Sequence, residues 1–279
     1  MTVREFRTAS GVRLRSVADR PGELNWLLLP GGPGLGSESL QGLADTIDVP
    51  GATWLVDLPG DGSNRVGGDP FAKWPGVLVE AAQALPHPVF VGHSTGGMYL
   101  LSVPELEPLL AGLALVSSAP HAGWLAEFER MTQEHPLPEV AETSAAFEAD
   151  RTDAGLGRIV VAAAPWNFTP EGIPAGVELL ARLPYNTAAV DWSASNFDAT
   201  YQQRWWPAAV PTLLVSGEKD RVVTQHIWDD PRFRGAHVLH RWIEGAAHFP
   251  WIERPAAVRA AFHELAAASS RQPGRSRVR

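Results

Sequence analysis

Pro88-Val89-Phe90-Val91-Gly92-His93-Ser94-Thr95-Gly96 runs an apolar segment straight into G-x-S-x-G, and Met98-Tyr99-Leu100-Leu101 follows with a second apolar segment. The first segment predicts a strand, the last the start of a helix, and the residues between them a sharp turn. A serine in such a turn takes a strained backbone, and its neighbours two residues away must lack clashing side chains. The turn lifts Oγ clear of the sheet and aims the following N–H groups at one point. Ser94 is therefore the candidate nucleophile.

Other short apolar runs cover residues 26–29, 53–56, 113–116 and 212–215, and helix-like stretches cover 77–85 and 256–267. Strands alternating with helices predict an α/β fold with a mostly parallel sheet covered on both faces. Residues 5–8 and 12–17 alternate apolar and polar side chains and read as an antiparallel edge hairpin. The rhythm breaks between 121 and 206, where helical patches at 122–131, 139–150, 174–183 and 190–205 are punctuated by Pro136, Pro138, Pro165, Pro170, Pro174 and Pro184. The expected organisation is a core domain over 1–120 and 207–270, an inserted helical cap over 121–206, and a basic, disordered tail over 271–279.

The chain has 279 residues, 45% of them hydrophobic, enough for a sizeable core. Its net charge of -8 speaks against nucleic acid, which needs a basic footprint. It has no cysteine, so disulfides, thiolate metal sites and a cysteine nucleophile are excluded. Residues 1–7 lack the apolar core of a signal peptide, and no run approaches the ~18 apolar residues of a spanning helix. A cytoplasmic enzyme acting on a small-molecule substrate, away from membranes and nucleic acid, is the expectation. Oligomeric state is not readable.

Three partners for Ser94 stand in strand-end contexts. Leu27-Leu28-Leu29 runs into Pro30-Gly31-Gly32-Pro33-Gly34, a loop of bare backbone. Acyl transfer builds charge on the carbonyl oxygen, and losing one preorganised N–H donor costs roughly 3 kcal/mol. Prolines donate nothing, so Gly31 and Gly32 are the candidate donors, and Gly32 is paired with Thr95 as the oxyanion hole; a plain tight turn is the competing reading. Asp220 follows the run 211–217 at the edge where active sites of α/β sheets collect. It can orient an imidazole, or it can cap the segment beginning near Val222; Glu218 is the second choice. His248 sits between the strand-like run 237–243 and the last helix, with Gly245, Ala246 and Ala247 before it. Of the nine histidines, His93 reads as structural. His121 is held back as a pocket candidate with Trp124, Trp166, Trp192 and Trp205, for which core packing is the rival role.

This ordered set resembles the α/β-hydrolase superfamily, over nearly the whole chain from Leu24 to the last helix. Gly31-Gly32-Pro33-Gly34 is similar to the H-G-G-P-G loop of proline iminopeptidases and related hydrolases. Asp57-Leu58-Pro59-Gly60-Asp61-Gly62-Ser63 is similar to that group's D-x-x-G-x-G-x-S turn, and Gly245-Ala246-Ala247-His248 to the stretch that carries its base. Pro30 and Asp61 stand where the group usually has histidines. The resemblance implies a serine hydrolase of this superfamily with the triad Ser94, Asp220 and His248.

The expected reaction forms an acyl-enzyme on Ser94, with no metal or organic cofactor, because no H-E-x-x-H or dinucleotide fingerprint is present. A small or medium apolar ester or lactone suits the tryptophan-rich insertion. A proline iminopeptidase-like peptidase is the next reading; it requires cap carboxylates that grip an amine, for which Glu142, Glu148, Asp150 and Glu171 are available. A C–C bond hydrolase, a cofactor-free lyase or oxygenase, and a non-catalytic ligand receptor use the same scaffold.

Overall fold

The apolar runs become an eight-stranded sheet in the computed structural model, which describes residues 4–66 and 69–271. The strands are β1 (Glu5–Arg7), β2 (Arg13–Asp19), β3 (Asn25–Leu29), β4 (Ala52–Asp57), β5 (Pro88–His93), β6 (Gly112–Val116), β7 (Thr212–Gly217) and β8 (Val238–Ile243). Their order is β1-β2-β4-β3-β5-β6-β7-β8. β1 and β2 pair antiparallel, as does β2 with β4, while every later pairing is parallel. This is the α/β-hydrolase fold.

Parallel strands covered on both faces are predominantly apolar, and β3, β5, β6 and β7 are buried along their whole length, with Asn25, His93, Thr212 and Ser216 among their buried polar members. Leu27, Leu29 and Phe90 pack into one core with α2 (Trp74–Gln83) and α3 (Thr95–Leu101). Trp26, Leu28, Val89 and Val91 pack into a second, with α1 (Gln41–Ile47) and the last helix.

Between β6 and β7 lie α4 (Gly123–Glu134), α5 (Pro138–Ala149), α6 (Asp153–Ala162), α7 (Ala164–Asn167), α8 (Ile173–Leu180) and α9 (Thr187–Asn196). An antiparallel bridge between His121 and Gln202, with Ala122 N–H donating to the Tyr201 carbonyl at 2.8 Å, pinches the two ends of this insertion together. The helical patch expected at 190–205 stops at Asn196. Beyond it the chain turns inward, where the Tyr201 hydroxyl donates to the Ala119 carbonyl at 2.9 Å and the Trp205 indole to the Leu100 carbonyl at 2.7 Å. After β8 come α10 (Pro250–Glu253) and α11 (Pro255–Ser269). No helix among the described residues is long and apolar enough to cross a membrane. Of the expected tail, residues 272–279 lie outside the described residues.

Candidate active site

Ser94 sits between β5 and α3 with φ 51° and ψ -125°, in backbone space that non-glycine residues rarely occupy. The glycines beside it make the turn possible. A Cβ on Gly92 would lie 2.5 Å from Gly97 Cα, and one on Gly96 would lie 2.5 Å from the Pro30 carbonyl oxygen. Both obstacles are backbone, which cannot swing aside. The Ser118 hydroxyl donates to the Ser94 carbonyl at 2.8 Å and secures the turn from β6's side.

The loop after β3 closes over the nucleophile. A Cβ on Gly31 would fall 2.6 Å from Ser94 Cβ, so only bare backbone fits there. The Thr95 hydroxyl donates to the Gly32 carbonyl at 3.3 Å, which holds the two candidate oxyanion residues side by side. Thr95 is also the first residue of α3, where leading N–H groups have no acceptor within the helix.

Asp220 lies beyond β7 and His248 beyond β8, and both side chains are buried, with 0% and 5% exposure. His248 Nδ1 lies 2.9 Å from Asp220 Oδ2 and 3.1 Å from Oδ1. A carboxylate can only accept, so Nδ1 carries the proton and Nε2 is left as a lone pair. Asp220 Oδ1 also accepts the Val222 and Val223 N–H groups at 2.9 and 3.0 Å. The capping role and the histidine-orienting geometry thus coexist on one carboxylate. Glu218 is exposed to solvent and accepts the Gly245 N–H at 2.9 Å, which ties together the loops that bear Asp220 and His248.

His93 connects the imidazole to the elbow. Its Nε2 donates to the His248 carbonyl at 3.0 Å, and the two rings lie 4.9 Å apart. Burial, and then the neighbouring His248 ring, hold His93 well below the usual histidine range, so it packs as a neutral ring. Among the described residues no hydrogen bond joins Ser94 Oγ to His248; contacts of this kind commonly tighten in the substrate complex.

Glu253 on α10 stands in no motif that its sequence context marks. Its Oε1 accepts from the Thr169 N–H at 2.7 Å and the Thr169 hydroxyl at 2.6 Å, and its Oε2 accepts the Ala247 N–H at 2.6 Å. With the His248 N–H donating to the Asn167 carbonyl at 3.1 Å, it clamps the insertion onto the histidine loop. A carboxylate 84 residues from one partner leaves no local pattern to read.

A cavity beside the elbow is walled by Leu29, Pro30 and Pro33, by Tyr99 of α3 and by Trp192 of α9. Trp205 is bound into the core, and Trp166 donates to the His135 carbonyl at 2.9 Å within the insertion. Trp124 packs near Phe128, and its buried indole N–H has no partner among the described residues. His121 Nδ1 accepts the Gly123 N–H at 3.1 Å, a local turn contact at the neck of the insertion. Of the five predicted pocket residues, Trp192 is the one this cavity wall includes.

Residues 26–261 match the model of an alpha/beta hydrolase family. A pimeloyl-[acyl-carrier protein] methyl ester esterase of Xanthomonas campestris pv. campestris is 27% identical over 229 residues, covering 77% of this chain and 84% of that protein. A proline iminopeptidase-related protein from Thermus thermophilus superposes with a TM-score of 0.72 at 21% identity, covering 96% and 98% of the two chains. An esterase from Rhodococcus sp. ECU1013 gives 0.66 at 19% identity, covering 96% and 99%.

Proposed function

The chain belongs to the alpha/beta hydrolase family, and within it we propose a serine carboxylic ester hydrolase that cleaves a small or medium apolar ester or lactone. The observation that carries the reading is the buried Asp220–His248 pair, joined at 2.9 Å, whose imidazole packs 4.9 Å from the His93 ring at the strained serine turn. His248 Nε2 takes the Ser94 proton as Oγ bonds to the substrate carbonyl carbon. The oxyanion receives the Gly32 and Thr95 N–H groups. Collapse breaks the ester C–O bond, and the imidazolium returns its proton to the leaving alkoxide. Water, deprotonated by the same nitrogen, then releases the acid and regenerates Ser94. Asp220 keeps the tautomer throughout, and the insertion between β6 and β7 serves as the cap that shields the acyl-enzyme.

The apolar and aromatic cavity wall favours an apolar acyl or alkyl group, in keeping with the relatives named as methyl ester esterases. Peptidase action is disfavoured because Glu142, Glu148, Asp150 and Glu171 are all exposed on the insertion, and Glu148 is paired with Arg151. A panel of p-nitrophenyl esters against prolyl p-nitroanilide tests the reading. The esters should be favoured in kcat/KM by roughly 100-fold or more. Equal or better cleavage of the anilide overturns it.

A further inference from the structure

Asp61 stands in the wall of the same cavity, and the hydrolytic steps above make no use of it. It lies in the turn after β4 and is 9% exposed. One oxygen is anchored, since Oδ1 accepts the Gly34 N–H at 2.8 Å from the loop that carries the oxyanion residues. Among the described residues no cationic side chain pairs with it. The neighbouring Asp57 is served by Arg13 and Arg15, at 2.9 and 3.1 Å, and these also reach Glu38 at 3.5 and 3.0 Å. A buried carboxyl without a countercharge keeps its proton unless something replaces the lost hydration.

We propose that Asp61, as the neutral acid, donates a hydrogen bond to a second oxygen of the substrate, a keto, ether or ester oxygen carried on the apolar portion away from the scissile bond. The inference deepens the ester hydrolase reading and rests on it. The cavity holds about 30 Å³, against the ~10–15 Å³ that one water-sized group needs, so there is room for a small oxygen function beside the carboxyl. Around it stand Pro30, Pro33, Phe71, Trp74, Tyr99 and Trp192, which offer the carboxyl no other charge. Burial and then Asp57 raise the Asp61 carboxyl to about 7, against the pull of the Gly34, Gly36 and Gly62 amides. The other titratable groups facing it are the Tyr99 phenol, which burial pushes up, and beyond it Asp198, which burial also raises and which accepts the Ser193 hydroxyl at 2.7 Å. Neither supplies a positive charge.

The test compares p-nitrophenyl hexanoate with p-nitrophenyl 5-oxohexanoate, read as the ratio of kcat/KM within each protein so that a general loss of activity cancels. The wild type should favour the oxo ester by about tenfold at pH 6, the size of one hydrogen bond. The donor is present below its pKa and lost above it, so the preference should fade between pH 6 and 8.5. Asp61→Asn keeps an N–H donor that does not titrate, and its preference should persist across that range. Asp61→Leu should show no preference; if it does not fold, the contrast between wild type and Asp61→Asn decides alone. Equal rates on the two esters in an active wild type overturn the proposal and leave the ester hydrolase reading standing. A preference that grows with pH also overturns it, because the neutral carboxyl donor is lost over that range. Failure to turn over either ester sinks both readings.

Discussion

At the strand ends Asp220 and His248 are 0% and 5% exposed and joined to each other, whereas on the insertion the paired Arg151 and Glu148 are 41% and 69% exposed. Arg130–Glu127 and Arg182–Glu178 repeat that second style on solvated helix faces, one turn apart. Exposed pairs contribute little, because water solvates either partner nearly as well as the other does. A buried charge that loses its partner has no such refuge. The sheet edge therefore tolerates almost no change, while the insertion can vary its surface at small cost.

The sharpest way to break this contrast is Asp220→Asn. The amide keeps its volume but presents an N–H donor toward Nδ1, so the imidazole loses the tautomer with a free Nε2. Ester kcat/KM should fall by about 10⁴-fold, with far-UV circular dichroism unchanged. Retention of more than about a tenth of the activity would show that the pair at 2.9 Å is structural.

A smaller effect is expected where the two regions meet. Glu253→Gln keeps the Thr169 contacts through its carbonyl but turns an N–H₂ group toward the Ala247 N–H. The histidine loop loosens, and kcat/KM should drop by about tenfold with a modest fall in Tm. An unchanged kcat/KM with a lowered Tm would assign Glu253 to stability alone and separate the clamp from the chemistry.

The same division governs what can be read from residues alone. β3, β5, β6 and β7 are legible because a parallel strand buried on both faces is predominantly apolar and each carries an unbroken apolar run. The positions of Ser94 and Asp220 are legible because each follows such a strand and short-range glycines mark the elbow, whereas His248 follows β8, a half-buried edge strand, and is marked by the small residues Gly245, Ala246 and Ala247 before it. α1 escapes notice since Gln41-Gly42-Leu43-Ala44-Asp45-Thr46-Ile47 is short and mixed. α6 carries Gly155 and Gly157 with β-branched Ile159, Val160 and Val161, all weak helix formers, and is held by the Thr152 cap on the Gly155 N–H at 3.0 Å. The end of α9 depends on Tyr201 and Trp205 finding carbonyls in the core, a long-range event with no local sign. The tryptophans invited a pocket reading as a group, yet indole N–H groups bonded to Leu100 and His135 show two of them serving as struts.

Labelling with a fluorophosphonate probe reports on the central claim most directly, because the phosphorus reacts preferentially with an activated serine. Intact mass spectrometry should show a single adduct, peptide mapping should place it on Ser94, and His248→Ala should slow its formation while Ser94→Ala abolishes it. An adduct on another residue, or undiminished labelling of Ser94→Ala, would contradict the account.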